Sequence, residues 1–136
     1  RQVISAVHCG WRGTSKRLVE GVIQSMRDRH RCQPSQLLVV MGPCIGQECY
    51  EVGEDVHQSF MEEGLPSYLF ERHPRRRKKY LFDLRRANLD QLLQQGVKPE
   101  NIFSVDLCTC CEESFPSFRR DKDKAGRMLS FIGKLY

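Results

Sequence analysis

Apolar segments of strand length alternate along this chain with segments of helical periodicity, and this alternation limits the fold more than any other feature of the sequence. Residues 2–9 and 37–41 are mostly apolar runs, and glycine-containing turns follow them at residues 10–13 and 42–46. Continuous apolar runs of this length predict buried strands. Because strands and helices alternate, we predict an α/β fold.

Helix and strand signals continue along the rest of the chain. Thr14 and Ser15 are residue types that favour the N-cap position, and they precede a predicted helix that runs to about Asp28. A second predicted helix begins after Asp83, a candidate N-cap, and ends at Gly96. The other apolar patterns predict a helix at 52–61, strands at 80–82, 102–107 and 128–132, and irregular segments at 64–79 and 108–123. A chain of 136 residues suits one domain over residues 1–136.

The positive charge of the chain is concentrated in one segment. Residues 72–79 carry six of the 22 basic residues, and the other 16 nearly balance the 17 acidic residues. This distribution does not favour a nucleic-acid-binding surface spread over the domain. We predict a solvent-exposed loop without a catalytic role; a local polyanion patch and a nuclear-localisation-like segment are the alternatives. No apolar run has the length of a membrane span.

The cysteines favour reduced thiols over a disulfide framework. There are seven, at positions 9, 32, 44, 49, 108, 110 and 111, so their number is odd and two of them are adjacent. The segment from Cys108 to Cys111 suggests a zinc site, but we interpret its spacing as wrong for a two-residue knuckle, and no second pair follows it. Adjacent cysteines seldom bind one metal, so we predict no zinc site made of cysteines alone.

Polar side chains that suit catalysis or anion binding occur near both ends of the chain. His8 ends the first predicted strand, where open α/β sheets place their sites, and a neutral imidazole there binds a metal or acts as a base. A structural histidine is the alternative. Arg12, in the turn that follows, suits an anion. Arg119, Arg120 and Arg127 suit a phosphate held in bidentate fashion, or else a surface ion-pair cluster.

Several of these segments together resemble the sequence blocks of one family. Residues 4–14, ISAVHCGWRGT, are similar to the A-x-H-A-G-W-R-G-T block of the YfiH family, also called the multicopper polyphenol oxidoreductase laccase or laccase-domain family. Residues 42–53 resemble its G-P-x-I-G and Y-E-V-G blocks, and residues 81–88 its D-L and A-N block. Residues 108–128 resemble its C-T, F-F-S-Y-R-R-D and T-G-R-M blocks. The blocks occur in the family's order and span nearly the whole chain.

The resemblance implies a fold, an activity and a metal. The fold is an α-β-β-α sandwich with a mixed sheet, of the cysteine-hydrolase type that YfiH proteins share with a bacterial toxin deamidase. The activity is cytoplasmic purine-nucleoside chemistry: phosphorolysis of adenosine, inosine, guanosine and methylthioadenosine with inorganic phosphate, and zinc-dependent deamination of adenosine. The family zinc site uses two histidines and one cysteine. His8 matches the third of these ligands, and the segments with the other two, in the N-terminal part of the family fold, have no counterpart in this sequence.

Departures from the family pattern leave alternatives open. Phe118 stands where the family usually has tyrosine, and Cys44 and Cys49 stand where other members often lack cysteine, so we assign these cysteines no role. A multicopper site needs many histidines, and copper is not favoured because the chain has four, at positions 8, 30, 57 and 73, without a His-x-His pair. One histidine cannot hold a catalytic zinc alone. The alternatives are a metal-free hydrolase with an upstream cysteine nucleophile and His8 as base, and a non-catalytic truncated product.

Overall fold

Helices and short strands follow one another in the computed structural model, which describes residues 3–134. The strands are β1 (Val39–Met41), β2 (Glu51–Gly53), β3 (Phe70–Arg72), β4 (Lys79–Phe82) and β5 (Ile102–Ser104). The helices are α1 (Trp11–Ser15), α2 (Leu18–His30), α3 (Glu54–Glu62), α4 (Leu84–Gln94) and α5 (Phe118–Asp121). None of the helices described is long and apolar enough to cross a bilayer.

The strands form two sheets with different pairing directions. β1 and β5 pair in parallel, with Val39 opposite Ile102. β4 lies between β2 and β3 in an antiparallel sheet. The predicted α/β class with mixed strand directions is therefore confirmed, whereas the layer order and the cysteine-hydrolase relationship stay predictions.

An aromatic core joins the antiparallel sheet to α3 and the start of α4. Phe60 of α3 and Phe82 of β4 are completely buried, and their rings meet edge to face with centroids 4.8 Å apart. Phe70 stacks on Phe82 at 4.6 Å. Truncating a buried phenylalanine typically costs about 3–5 kcal/mol, so these rings contribute a large part of the stability of this region. Trp11 and Tyr50 pack against the edge of the same core.

A second, aliphatic core lies between the parallel strands and two helices. Val19 and Ile23 of α2 pack with Leu92 of α4 and with Val97, and the side chains that cover them from the strands include Val39, Met41 and Ile102. The alternate residues point away from this core. Leu38, Val40 and Phe103 are 75%, 71% and 54% exposed, respectively. Parallel strands are normally buried on both faces, but among residues 3–134 this pair is covered on one face only.

The signals at both ends of α4 act as predicted. The carboxylate of Asp83 accepts a hydrogen bond of 2.9 Å from the amide N–H of Arg86. Gly96, two residues beyond the last helical residue, has a φ of +84°, in the left-handed region that glycine tolerates best.

Thr14 and Ser15 do not cap α2, so that prediction was wrong. Both are buried inside α1, whose N-cap is Gly10. The hydroxyl of Thr14 donates to the carbonyl of Gly10 at 3.0 Å and accepts from the side-chain amide of Asn88 at 3.1 Å. The side-chain amide of Gln91 donates to the Thr14 carbonyl at 2.8 Å. These buried hydrogen bonds attach α1 to α4, so Thr14 acts through a tertiary contact instead of a cap.

Two predicted strands are absent from the part of the chain described. Residues 3–9 and 128–132 are extended or irregular without strand pairing, and Gln2 lies outside the described residues. Ile4 is 45% exposed and Leu129 is 88% exposed, so these segments are not buried either. Apolar composition favours extended backbone, but a strand forms only where a neighbour supplies its hydrogen bonds. Neither segment has such a neighbour among residues 3–134.

Several element boundaries also differ from prediction. Val52 belongs to β2, and α3 begins only after Gly53, which is extended. β3 interrupts the segment 64–79 that was predicted to be irregular, and α5 interrupts the segment 108–123, where the Ser117 hydroxyl caps it. Short strands and single-turn helices are too brief to produce a readable periodicity.

The basic segment mostly connects β3 to β4, as predicted. Residues 73–78 form the connection, while Arg72 ends β3 and Lys79 begins β4. Acidic side chains outside the segment offset part of its charge: Arg76 pairs with Glu51 at 2.9 Å and Lys78 with Glu54 at 3.2 Å.

Candidate functional site

His8 lies at the end of the extended N-terminal segment, immediately before the turn that starts α1. Its side chain is exposed, and its Nε2 atom lies 3.4 Å from where a Cβ on Gly10 would stand. The turn itself is held firmly, because Thr14 attaches α1 to α4 through buried hydrogen bonds. The local backbone after His8 is therefore fixed, although the segment before it is not part of a sheet.

Arg12 and Arg119 each lie over an aromatic ring, and the charges of both act on Tyr50. The guanidinium carbon of Arg119 lies 5.4 Å from the centre of the Tyr50 ring, and that of Arg12 lies 4.5 Å from the centre of the Trp11 ring. Burial raises the pKa of Tyr50, and the positive charges of Arg119 and Arg12 offset part of that rise. Two cations separated by more than a hundred residues in sequence thus act on one half-buried aromatic side chain.

Arg119 is held in this position by one backbone contact. It lies on α5, and one of its terminal nitrogens donates to the carbonyl of Glu51 in β2 at 2.7 Å. A guanidinium has five N–H donors, so this bond leaves most of them available for an anion. Tyr50 directly precedes Glu51 in the chain, and its ring packs against Phe82 with centroids 5.7 Å apart.

Arg120 has a different environment from its neighbour. Its guanidinium pairs with the Asp121 carboxylate and donates to the carbonyls of Cys110 and Phe115 at 3.1 and 2.7 Å. The hydrogen bond from Arg120 lowers the pKa of Asp121, and the backbone N–H of Ser117 lowers it further. This geometry favours a structural role, in which Arg120 holds the loop after β5 against α5. Arg127 is exposed in the segment beyond α5.

Three cysteines for which the sequence pattern predicts no metal site lie close together in the fold. The sulfur atoms of Cys49, Cys108 and Cys111 all lie within 4.8 Å of one another, and those of Cys49 and Cys111 are 3.3 Å apart. The interpretation of the Cys108 segment was wrong in one respect: Cys108 and Cys111 are separated by two residues, which is the spacing of a metal-binding knuckle. Cys49, to which the sequence pattern assigned no role, supplies the third thiol.

Backbone groups surround the Cys108 sulfur. The amide N–H of Gly46 donates to it at 3.1 Å. Burial raises the pKa of Cys108, but the amide N–H groups of Gly46, Cys111 and Cys110 outweigh this effect and the pKa falls to about 7.

Strand pairing explains why these cysteines meet. β1 and β5 are parallel neighbours, so the loops that follow them leave the same edge of the sheet. The pairing continues into the loops, where the amide N–H of Thr109 donates to the carbonyl of Cys44 at 3.1 Å. The sequence shows two loops that contain cysteines. Predicting that these loops lie close together requires knowing that β1 and β5 are adjacent.

A shallow cleft of about 260 Å³ opens beside Cys108. Arg85 of α4 lines it and donates to the carbonyl of Val105 at 2.6 Å and to the Asp106 carboxylate at 2.5 Å. Arg85 thereby holds the chain that leaves β5, which carries Cys108 at its end. Asp83, the cap of α4, also lines the cleft.

The four histidines lie in different parts of the molecule. His57 stacks on Tyr80 at 4.3 Å, His73 lies 3.4 Å from the Glu51 carboxylate, and His30 is the last residue of α2. Across residues 3–134, the cysteine, histidine and carboxylate groups close enough to share a metal ion are those of the thiol cluster, and His8 is not among them.

Comparison with known proteins agrees with the blocks recognised in the sequence. The model of the multi-copper polyphenol oxidoreductase laccase family matches residues 1–134, essentially the whole chain. The chain belongs to this family.

Relatives of this laccase-family chain are named as nucleoside enzymes. It is 36% identical over 133 residues to the purine nucleoside phosphorylase YlmD of Geobacillus stearothermophilus, covering 97% of this chain and 48% of the relative. It is 34% identical over 132 residues to the adenosine deaminase RL5 of an unknown prokaryotic organism, covering 96% and 50%. The crystal structure of the Geobacillus YlmD superposes with a TM-score of 0.78 at 35% identity, over 88% of this chain and 45% of that chain. The chain thus spans about half the length of the relatives it matches.

Proposed function

We propose that this chain forms part of a purine nucleoside phosphorylase in which Arg12 and Arg119 bind the inorganic phosphate. The supporting observation is that Arg119 lies against the Tyr50 ring and that the charge of Arg12, which lies over Trp11 in the turn after His8, also acts on Tyr50. The family and the names of its relatives support nucleosides as the substrate class. Adenosine, inosine, guanosine and methylthioadenosine are the nucleosides we expect, and we expect a cytoplasmic enzyme.

Two arginines suit the chemistry of phosphorolysis. Phosphate attacks C1′ of the ribose while the bond from C1′ to the purine nitrogen breaks, so an anion must be held beside a developing cation. Arginine binds phosphate oxygens in bidentate fashion and keeps its charge at any physiological pH. Fixed donors of this kind typically contribute about 10²–10³-fold to the rate when they face the charge of the transition state. Arg120 is less suited, because its donors already bind backbone carbonyls.

We expect adenosine deamination to need residues that this sequence does not contain. The resemblance matches His8 to one zinc ligand of the family, but the residues that could share a metal within residues 3–134 do not include it. His8 is therefore the only one of the three family zinc ligands that the described residues offer, and one ligand does not hold a zinc ion. We assign His8 to metal binding, and through it to catalysis, in the complete protein, with the remaining ligands supplied from outside this sequence.

The exposed face of the parallel strand pair supports a larger functional unit. Leu38, Val40 and Phe103 form an apolar surface that water contacts in this chain. Covering such a surface with further chain stabilises it by roughly 25 cal/mol per Å² buried. The half-length match to the relatives is consistent with additional elements that cover this face and give residues 3–9 a strand neighbour.

Arginine variants test the phosphate site in the complete protein. Arg12→Ala and Arg119→Ala should each raise the KM for inorganic phosphate and lower kcat/KM by about 10²-fold or more, measured as hypoxanthine release from inosine. Arg119→Lys should retain part of the activity, since it keeps the charge but loses the planar donors. The control is Arg29→Ala, an exposed arginine on α2. An unchanged phosphate KM in both alanine variants would refute the assignment.

A second experiment tests His8. His8→Ala in the complete protein should remove bound zinc and abolish inosine formation from adenosine, and phosphorolysis should fall with it if one site serves both reactions. The 136-residue chain alone should show neither reaction above background with added zinc and phosphate. Turnover that resists chelators would instead support a metal-free cysteine hydrolase. Turnover by the short chain at the rate of the complete protein would show that the catalytic groups lie within residues 1–136.

A further inference from the structure

Three thiols from two loops meet at one edge of the parallel strand pair. Cys49 ends a short turn in the loop after β1, and Cys108 and Cys111 lie in the loop after β5. Their sulfur atoms lie within 4.8 Å of one another, with the Cys49 and Cys111 sulfurs 3.3 Å apart. The backbone pairing between the loops, from Thr109 to Cys44, fixes their separation independently of the thiols.

The spacing of the sulfurs matches a metal site better than a disulfide. Zinc–sulfur bonds are about 2.3 Å long, so two thiolates on a tetrahedral zinc lie about 3.8 Å apart. The distances within the cluster, from 3.3 Å to at most 4.8 Å, lie on both sides of that value. A disulfide needs sulfurs about 2.05 Å apart and uses two cysteines, which would leave the third thiol without a partner.

The backbone around Cys108 has the form of a metal-binding turn. Cys108 and Cys111 are separated by two residues, and the amide N–H of Cys111 donates to the backbone carbonyl of Cys108 at 3.2 Å, which closes a tight turn between them. The amide N–H of Gly46 reaches the Cys108 sulfur from the other loop. An N–H group that donates to a ligand atom orients it and offsets its negative charge.

We infer that Cys49, Cys108 and Cys111 form a zinc-binding site. Each thiol releases its proton to solvent as its sulfur binds the ion, and the three thiolates occupy three of the four tetrahedral positions. A water molecule completes the coordination. The bound ion ties the loop after β1 to the loop after β5, at the edge where Arg85 and Asp106 hold the chain that leaves β5.

Metal titration of the full chain, reduced and then freed of reductant, tests the inference. We expect one equivalent of Co²⁺ to bind with a thiolate-to-cobalt charge-transfer absorption, and Zn²⁺ to displace it. Cys111→Ser removes an exposed thiol with little risk to folding, and Cys49→Ser removes the ligand from the other loop. Each should weaken binding at least about tenfold, because even a group that only supports a ligand is worth about ten- to a hundredfold in affinity.

Matched variants distinguish this zinc site from metal binding by unrelated thiols and from a disulfide. Cys32→Ser and Cys44→Ser remove half-buried thiols outside the ligand set and should leave the cobalt spectrum and affinity unchanged. His8→Ala should also leave them unchanged, so this result is independent of nucleoside turnover. Cobalt binding that survives both Cys49→Ser and Cys111→Ser would overturn the inference. So would reduced, folded chain that binds no Co²⁺ or Zn²⁺, or anaerobically purified chain in which Cys49 and Cys111 are joined by a disulfide.

Discussion

The buried hydrogen bonds between α1 and α4 permit a quantitative test with Asn88→Ala. The Asn88 amide donates to the Thr14 hydroxyl at 3.1 Å and to the Leu84 carbonyl at 2.8 Å. Each bond contributes about 1 kcal/mol, and the Thr14 hydroxyl keeps its bond to Gly10, so no polar group is left without a partner. Alanine regains about 0.5 kcal/mol through its higher helix propensity. The expected loss of unfolding free energy is therefore about 1.5 kcal/mol, or roughly 6 °C in Tm.

Urea denaturation followed by circular dichroism measures this loss, and Trp11 reports on α1 directly because it is the one tryptophan of the chain. Its fluorescence should shift to the red in Asn88→Ala before the main unfolding transition, since α1 is less firmly attached. Gln94→Ala is the control, because it removes an exposed amide from the same helix and should change stability by less than about 0.5 kcal/mol. Equal stabilities for the two variants would show that the Thr14–Asn88 contact does not hold α1 in place.

Four further predictions concern Trp11, the basic segment, and the alkylation and pH-dependent stability of Cys108. Trp11→Ala should lower both Tm and activity in the complete protein, because the ring packs against the aromatic core; lost activity with unchanged melting would make it a substrate-stacking residue. Replacing the Arg and Lys residues of 72–79 by Ser should leave nucleoside turnover within a few-fold, and a collapse of turnover in the folded variant would contradict this. In metal-free protein, the rate of Cys108 alkylation should rise as the pH passes through 7, because the pKa of Cys108 is lowered to about 7 from 9.0. Cys9 is the comparison, because burial raises its pKa. Because the folded-state pKa of Cys108 is the lower one, its contribution to stability should be present above pH 9 and lost as pH falls through 7; urea midpoints of wild type and Cys108→Ser with the same pH dependence would refute this.

The candidate site was predictable only in part. The sequence predicted two separate anion-binding candidates: Arg12, in the turn after a predicted strand, and Arg119, in a cluster of arginines. The position of Arg119 against Tyr50 depends on α5 lying beside β2, where Arg119 donates to the carbonyl of Glu51. Arg120 has the same residue type and nearly the same position, yet its guanidinium binds loop carbonyls. Adjacent residues on a helix point in different directions, so the helix orientation decides which arginine faces the site.

The sequence by itself determined the α/β class, the caps of α4 and the exposed basic connection, because these depend on local periodicity, local hydrogen bonds and local charge. Tertiary structure decided which apolar runs became strands: residues 37–41 contain β1 because β5 pairs with it, and residues 3–9 have no such partner among the residues described. It also decided that Cys49 and Cys111, 62 positions apart, bring their sulfurs to 3.3 Å. Pairing between distant segments depends on which surfaces can be buried together, and a single sequence does not contain that information in its local pattern.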